Sequence, residues 1–323
     1  MQGNPILDLV FKPWTMQVLF AASRLRVFSL LSEHPMSAAE LVRRTGADER
    51  LLTAILDACV PMGLLHREDR RYVNSHLSES YLVEGKPLYL GDIIEVLSIE
   101  GAAWQRLYDV VSQNTAATEA LPHPQTAPRR FTLAMNNLAM QGEADALASA
   151  IDLSDSKTLV DVGCGSGAYS ATLCLRNPNL RATLLDRPEV LETTREVIQS
   201  YALGDRLRTK PADMTTDSYG HDLDVVLLSD VLYQTKAACL TVLRSAYDAL
   251  VPGGRLIVRG YYSDPGGSES LFGALFVVHL LLSDPSRDPI PAGELKLWVS
   301  QAGFNDIDVF ALTERSTCLT AVK

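Results

Sequence analysis

Basic residues are scarce in this 323-residue chain: 29 Lys and Arg stand against 39 Asp and Glu, for a net charge of −10. With a pI near 5.1 there is no surplus of cations to neutralise phosphates, which argues against nucleic acid as a partner. Long apolar runs are missing as well. The longest, Leu271 to Leu282, covers 12 residues and contains His279, short of the ~20 needed to span a bilayer. The opening Met1-Gln2-Gly3-Asn4-Pro5 lacks the basic segment of a secretory leader, so no membrane partner is expected and the cytoplasm is the expected compartment. The five cysteines, Cys59, Cys164, Cys174, Cys239 and Cys318, are odd in number and scattered, as reduced thiols would be. Neither they nor the six histidines fall at metal-ligand spacing, and no metal is expected. Aromatic residues make up only 7%, while 47% hydrophobic residues mark a globular chain whose length favours two domains.

What the chain does have is the run Leu159-Val160-Asp161-Val162-Gly163-Cys164-Gly165-Ser166-Gly167-Ala168-Tyr169-Ser170, an apolar strand, a glycine turn and the start of an amphipathic segment. Gly163, Gly165 and Gly167 let the backbone turn sharply and let a ligand approach where a Cβ would collide. The next apolar run, Ala182-Thr183-Leu184-Leu185, ends in Asp186. That carboxylate stands roughly 20 residues past the glycines, where it can accept hydrogen bonds from both hydroxyls of a ribose. A dinucleotide fingerprint spaces its last two glycines three apart to seat a pyrophosphate. Here they are two apart, and Asp161 would repel a pyrophosphate but suit an amino-acid ammonium.

Asp-x-Gly-x-Gly-x-Gly resembles the first motif of the class I S-adenosylmethionine (SAM) methyltransferases, and later segments follow that family in order. Asp213-Met214 resembles the pair that flanks adenine, Leu223 to Leu232 the fourth strand, and Val251-Pro252-Gly253-Gly254 the turn into the fifth. Phe304 to Phe310 and Thr317 to Val322 resemble its last, antiparallel strands. The resemblance implies that Asp161, Gly163, Gly165, Gly167, Asp186, Asp213, Met214 and Ser229 bind SAM, which leaves as S-adenosylhomocysteine.

In the N-terminal half, Trp14 through Glu33 carries apolar residues at helical spacing, and Pro35 ends it. Ser37 to Glu40 reads as a capping box and Asp48 as the next cap, with Leu51, Leu52, Ile55, Leu56 and Cys59 on one face. Leu64 to Val73 reads as a hairpin. This is a winged-helix pattern, open to two readings: a DNA reader or a dimerisation domain. Asp48 to Asp57, in the place of a recognition helix, is acidic and apolar, whereas a helix in a major groove needs donors. The chain is similar along nearly its full length to small-molecule O-methyltransferases of the plant caffeate type and of bacterial specialised metabolism. In these a winged-helix domain forms an intertwined homodimer.

Residues 88 to 112 read as helical, with Trp104 inside, and 113 to 129 as a loop; the domain boundary is expected near residue 150. The expected fold is thus α/β: a winged-helix dimerisation domain over 1–150 and a Rossmann-like SAM-binding sheet over 151–323. Phe131 to Asn137 resembles a family segment that lines the acceptor pocket, which nominates Phe131 and Met135, although spacing four apart serves a core equally well.

Plant-type relatives place a catalytic base in a His-Asp-Trp triplet after the fourth strand; this chain has Tyr233-Gln234-Thr235, and Ser229 where many relatives have Lys. A phenol with a pKa of about 10 is a poor base, so Tyr233 orients the acceptor, moves a proton or packs. His279, with Phe276 beside it, lies in a segment resembling the family helix over the acceptor, where a histidine can serve as a base near neutral pH, or else is a core residue. Glu294 stands where relatives carry a carboxylate that orients the base, or is a helix N-terminal charge. Methyl transfer can also proceed by alignment alone. The expected activity is SAM-dependent methylation of a small apolar or aromatic acceptor, at oxygen first, with nitrogen and carbon open. Two alternatives stay open: a SAM-binding enzyme of this fold that does not methylate, and a SAM-sensing winged-helix regulator.

Overall fold

In the computed structural model, residues 4–113, 127–262, 271–284, 287 and 290–323 are described. The chain divides into two compact units, Met1–Ile99 and Glu100–Lys323.

In the first unit, α1 (Pro5–Arg24) is capped by Asn4 and α2 (Val27–Glu33) follows directly. The single helix expected from Trp14 to Glu33 is therefore broken. Arg26, at φ 56°, redirects the chain so that Phe20 and Ala22 on one piece and Val27, Phe28 and Leu31 on the other reach one core. The capping box forms as expected: the Ser37 hydroxyl accepts from Glu40 N and the Glu40 carboxylate from Ser37 N, starting α3 (Ala38–Thr45). Asp48 caps α4 (Glu49–Cys59), whose Leu52, Leu56 and Cys59 are buried. The wing is the antiparallel pair β1 (Leu65–Glu68) and β2 (Arg71–Asn74), turning through Asp69 and Arg70, both at positive φ. Helices α5 (His76–Tyr81), α6 (Gly91–Gln105) and α7 (Leu107–Gln113) follow; the division between the units falls within α6. Most of the expected 113–129 loop lies outside the described residues.

The second unit is an α/β sheet of seven strands. Ahead of it come α8 (Pro128–Leu138), a π-helical turn over Ala139–Glu143, and α9 (Ala144–Ala150). The alternating segments are β3 (Thr158–Val162), α10 (Ala168–Arg176), β4 (Arg181–Asp186), α11 (Pro188–Gln199), β5 (Leu207–Pro211), β6 (Leu223–Ser229), α12 (Lys236–Ala249) and β7 (Leu250–Gly260). They are followed by α13 (Leu271–Ser283), α14 (Ala292–Gln301), β8 (Asn305–Ala311) and β9 (Thr317–Val322). The strand order is β5-β4-β3-β6-β7-β9-β8. The first five strands run parallel, and β9 inserts antiparallel between β7 and β8, the terminal pairing expected from the sequence. Strands buried on both faces explain the continuous apolar runs Val225 to Leu228 and Leu256 to Val258. Strand β6 stops at Ser229, short of the expected Leu232, because Asp230 turns out of the sheet at φ 56°.

Helix α8 packs on α11 and α9 on α10, so residues 100–150 join the second unit's packing although the sheet itself begins only at Thr158. Progress along the sheet reverses between β3 and β6. In such folds the crevice at the strands' carboxyl ends next to that reversal is the ligand site.

Candidate active site

Three glycines follow β3, and each meets a different constraint. All have positive φ: 70° at Gly163, 53° at Gly165 and 77° at Gly167. A Cβ on Gly163 would lie 2.5 Å from Val231 Cγ1, and one on Gly167 would lie 2.9 Å from Leu184 Cδ1 and 3.0 Å from Ile198 Cγ2. Both serve close packing. A Cβ on Gly165 would meet nothing within 4 Å, so that glycine borders open space. Gly165→Ala should therefore cost only about 1 kcal/mol of stability, the left-handed backbone penalty. It should still weaken SAM binding by about tenfold or more, the equivalent of 1.4 kcal/mol, in calorimetry beside a denaturant titration. Stable protein with wild-type affinity would remove Gly165 from the site.

Asp186 ends β4 beside this loop. Its carboxylate accepts from Gly165 N at 2.9 Å and Arg187 N at 2.8 Å, which leaves each oxygen a lone pair for a hydroxyl. Burial raises its pKa, against those two amides. Asp161, only 2% exposed, accepts the Ser170 hydroxyl at 2.6 Å, and burial pushes its pKa up to about 7. Asp213 lies in an exposed turn with its carboxylate taken by Thr215, whose amide and hydroxyl hold its pKa down. Met214 packs at the edge of the sheet core, its carbonyl accepting from the Tyr219 hydroxyl. Ser229 Oγ is buried with no hydrogen-bond partner among the described residues. An open glycine, a half-buried carboxylate with spare lone pairs and an unpartnered hydroxyl fit an adenosyl amino acid.

Beyond the carboxyl ends of β6 and β7 the site becomes aromatic. The Tyr233 ring lies 5.4 Å from Phe276 and 5.7 Å from Tyr262. Phe276 also meets Tyr261 at 5.0 Å and His279 at 6.0 Å. The His279 ring in turn lies nearly parallel to Trp104, 6.5 Å away. Sequence-nominated Tyr233, Phe276, His279 and Trp104 are thus brought together as one wall. Phe131 and Met135 stand one turn apart on α8, both half-buried. Glu294 is exposed in the first turn of α14, the position of an ordinary helix N-terminal charge.

The proton-transfer role considered for Tyr233 meets an obstacle. Its hydroxyl donates to Asp230 Oδ1 at 2.8 Å and accepts from Tyr261 N at 2.7 Å. Burial, with the Asp230 charge beside it, drives its pKa well above that of a free phenol. Fixed at both ends, Tyr233 holds shape.

Sequence reasoning missed the group that does the holding. Arg259, 0% exposed, sits between Asp230, which its Nη1 contacts, and Glu143 Oε2, 2.6 Å from its Nη2. The guanidinium lies 4.4 Å from the Tyr261 ring centroid and 5.3 Å from that of Tyr169. Burial opposes ionisation of Glu143, yet Arg259 and the hydroxyls of Ser316 and Thr313 hold its pKa low. For Asp230 burial prevails and its pKa is raised. The π-helical turn, with Gly142 at φ 92°, is what aims Glu143 inward. The available signal was Arg259 itself, a lone charge closing the apolar run Leu256-Ile257-Val258.

A reversed parallel sheet with an open glycine loop and an acidic residue ending the second strand defines an adenosyl-cofactor enzyme. Residues 7–84 match the O-methyltransferase dimerisation domain and residues 90–305 the O-methyltransferase domain, and the chain belongs to that family. It is a SAM-dependent methyltransferase acting on a small molecule. It is 30% identical to 3-hydroxy-5-methyl-1-naphthoate 3-O-methyltransferase of Streptomyces sahachiroi, over 94% of this chain and 89% of that one. It is also 30% identical to the tetracenomycin polyketide synthesis 8-O-methyl transferase of Streptomyces glaucescens, over 97% and 94%. The fold matches human N-acetylserotonin methyltransferase, solved with SAM, at a TM-score of 0.87 and 23% identity, covering 98% of this chain and 96% of that one.

Proposed function

We propose that this protein methylates a hydroxyl group on a small, flat, apolar aromatic metabolite. The observation that carries this reading is the wall formed by Trp104, His279, Phe276 and Tyr233 beyond the strand ends. Such faces hold a planar ring by stacking and offer little to an aliphatic polar acceptor. The two Streptomyces relatives are named for methylating hydroxyls of a naphthoate and of a polyketide, which supports the same class here.

SAM supplies an electrophilic methyl carbon with a neutral thioether as leaving group. The chain's part is to bind and align. Asp186 takes the ribose, the Gly163 to Gly167 loop lets the donor approach the backbone, and Asp213 and Met214 border the adenine. Asp161 provides negative potential toward the amino-acid end, and Ser229 offers its hydroxyl. The aromatic wall, with Phe131 and Met135, positions the acceptor and excludes water, and alignment of this kind supplies much of the barrier reduction.

Functionally, residues 1–150 form the dimerising half and 151–323 the donor-binding half of a homodimer. Five free, buried cysteines support a reducing, cytoplasmic setting, and the charge of −10 supports neither a nucleic-acid nor an anionic-membrane partner.

The test is mass spectrometry of reactions with SAM and a panel of naphthols, phenols and matching aromatic amines. S-adenosylhomocysteine and a product heavier by one methyl should appear with the hydroxyl compounds. Turnover confined to amines, or without S-adenosylhomocysteine, would overturn the reading. Asp186→Ala should weaken SAM binding about 10- to 100-fold, since hydrogen bonds to a charged group contribute about 1.5–3 kcal/mol; unchanged affinity in calorimetry would defeat the ribose assignment. Native mass spectrometry of the same protein should show a dimer.

A further inference from the structure

Tyr233 and His279 were the candidates for removing the acceptor's proton, with Glu294 as a carboxylate that would orient the base. Tyr233 is locked at both ends of its hydroxyl, Glu294 is exposed on α14, and His279 lies in the ring stack between Trp104 and Phe276. A fourth group has no assigned role. Glu100 is half-buried in α6, one turn before Trp104. Residues four apart on a helix share a face, so Glu100 stands on the side of α6 whose Trp104 meets His279. It makes no hydrogen bond or ion pair with any described residue. With no partner among the described residues and part of its surface open, this carboxyl is available to a ligand.

Resting on the reading that the acceptor is an aromatic hydroxyl, we infer that Glu100 is the general base of methyl transfer. Its carboxylate takes the hydroxyl proton as the acceptor oxygen forms a bond to the methyl carbon. The carbon–sulfur bond breaks with its electron pair staying on sulfur, and the new carboxylic acid returns its proton to solvent. Burial alone pushes the Glu100 pKa up to about 7, close to the optimum for a base working at neutral pH. Among the described residues no charge contributes to that shift, neither Asp92, Glu95 or Arg106 along its own chain segment nor His279 on α13.

The test compares wild type with Glu100→Gln at saturating SAM, on a weakly acidic naphthol and on a nitrophenol already ionised at the assay pH. In the wild type, kcat for the naphthol should rise with pH and level off near 7. Glu100→Gln should lose that limb and about 10²-fold or more in kcat, with acceptor KM and SAM affinity little changed, while the nitrophenol rate stays near wild type. An equal fall for both acceptors would make Glu100 a shape-determining residue, and no fall at all would leave transfer to alignment alone; either overturns the inference. Should Glu100→Gln fail to bind SAM, Glu100→Asp serves instead: a slower enzyme that keeps the pH limb supports the base, and loss of the limb refutes it. If the wild type methylates no hydroxyl compound, the acceptor reading falls and this inference with it. Turnover unaffected by the substitution removes Glu100 alone.

Discussion

Arg259→Met is expected to cost the second unit about 3–5 kcal/mol, the usual result of removing one partner from a buried ion pair. The side chain is wholly enclosed and bridges Asp230, just after β6, and Glu143, in the π-helical turn ahead of α9. Methionine fills similar volume but leaves two carboxylates without their cation. Protonating them relieves the charge but strands their hydrogen bonds to Tyr233, Ser316 and Thr313. Lysine should rescue poorly, because a single ammonium cannot reproduce the planar fork that reaches both acids and stacks on Tyr261. The measurement is a urea titration of the four proteins wild type, Arg259→Met, Arg259→Lys and the triple neutral variant Asp230→Asn/Glu143→Gln/Arg259→Met. The triple variant should recover part of the loss. A change within 0.5 kcal/mol for Arg259→Met, roughly the scale of a surface substitution, would show that the network contributes little. Because Asp230 fixes Tyr233, the single variants should also raise the acceptor KM.

At Asp161→Asn we expect opposite effects on stability and on donor binding. The folded pKa of Asp161 is raised to about 7 from a free value of 3.8, with burial as the main cause. The sign follows. Below pH 3.8 both folded and unfolded chains hold the proton, and nothing is lost. Between there and pH 7 the unfolded chain gives it up first, so this carboxyl's contribution falls as pH rises. Above pH 7 the loss is complete, at about 4 kcal/mol by linkage as an upper figure. Asparagine keeps an oxygen for the Ser170 hydroxyl and carries no charge, so the ligand-free variant should melt higher than wild type at pH 8 and by a smaller margin at pH 5. For SAM the order reverses. A cationic donor favours the carboxylate, so wild-type affinity should weaken as pH falls below 7, with a proton released on binding near pH 6. The variant should bind more weakly at pH 8 and release none. Calorimetry in two buffers of different ionisation enthalpy reads the proton directly. A wild type whose affinity is flat from pH 5.5 to 8 with no proton release would show that Asp161 does not sense the donor.

Much of this protein was legible in its sequence because the signals are local. The capping box at Ser37 and Glu40, the hairpin turn at Asp69 and Arg70, and the strand–glycine–helix unit from Leu159 to Ser170 each depend on residues within a few positions of one another. Helix α1 is different: apolar spacing runs on through Leu25 and Arg26, and only the pull of two segments toward one core breaks it. The compact units likewise divide at residue 99 rather than near 150, because α8 and α9 find their partners on α10 and α11, contacts that no composition shift announces.

The site shows the same split. The sequence by itself determined the glycine loop and the carboxylate beside it, since one β-turn-α-β unit carries the glycines and Asp186 within 24 residues of each other, and chain connectivity alone brings them together. It also nominated Phe276 and His279 of α13. Tertiary structure alone decided which hydroxyls and carboxyls are free to act. Tyr233 reads as a candidate base until Asp230 and the Tyr261 amide occupy it, and Arg259 reads as a strand-end charge until Glu143 arrives from 116 positions away. Glu100 passes for an ordinary helix-surface acid until folding half-buries it without a partner. Burial and partnership are properties of the packed chain, and they set the proton affinities of Tyr233, Asp230 and Glu100.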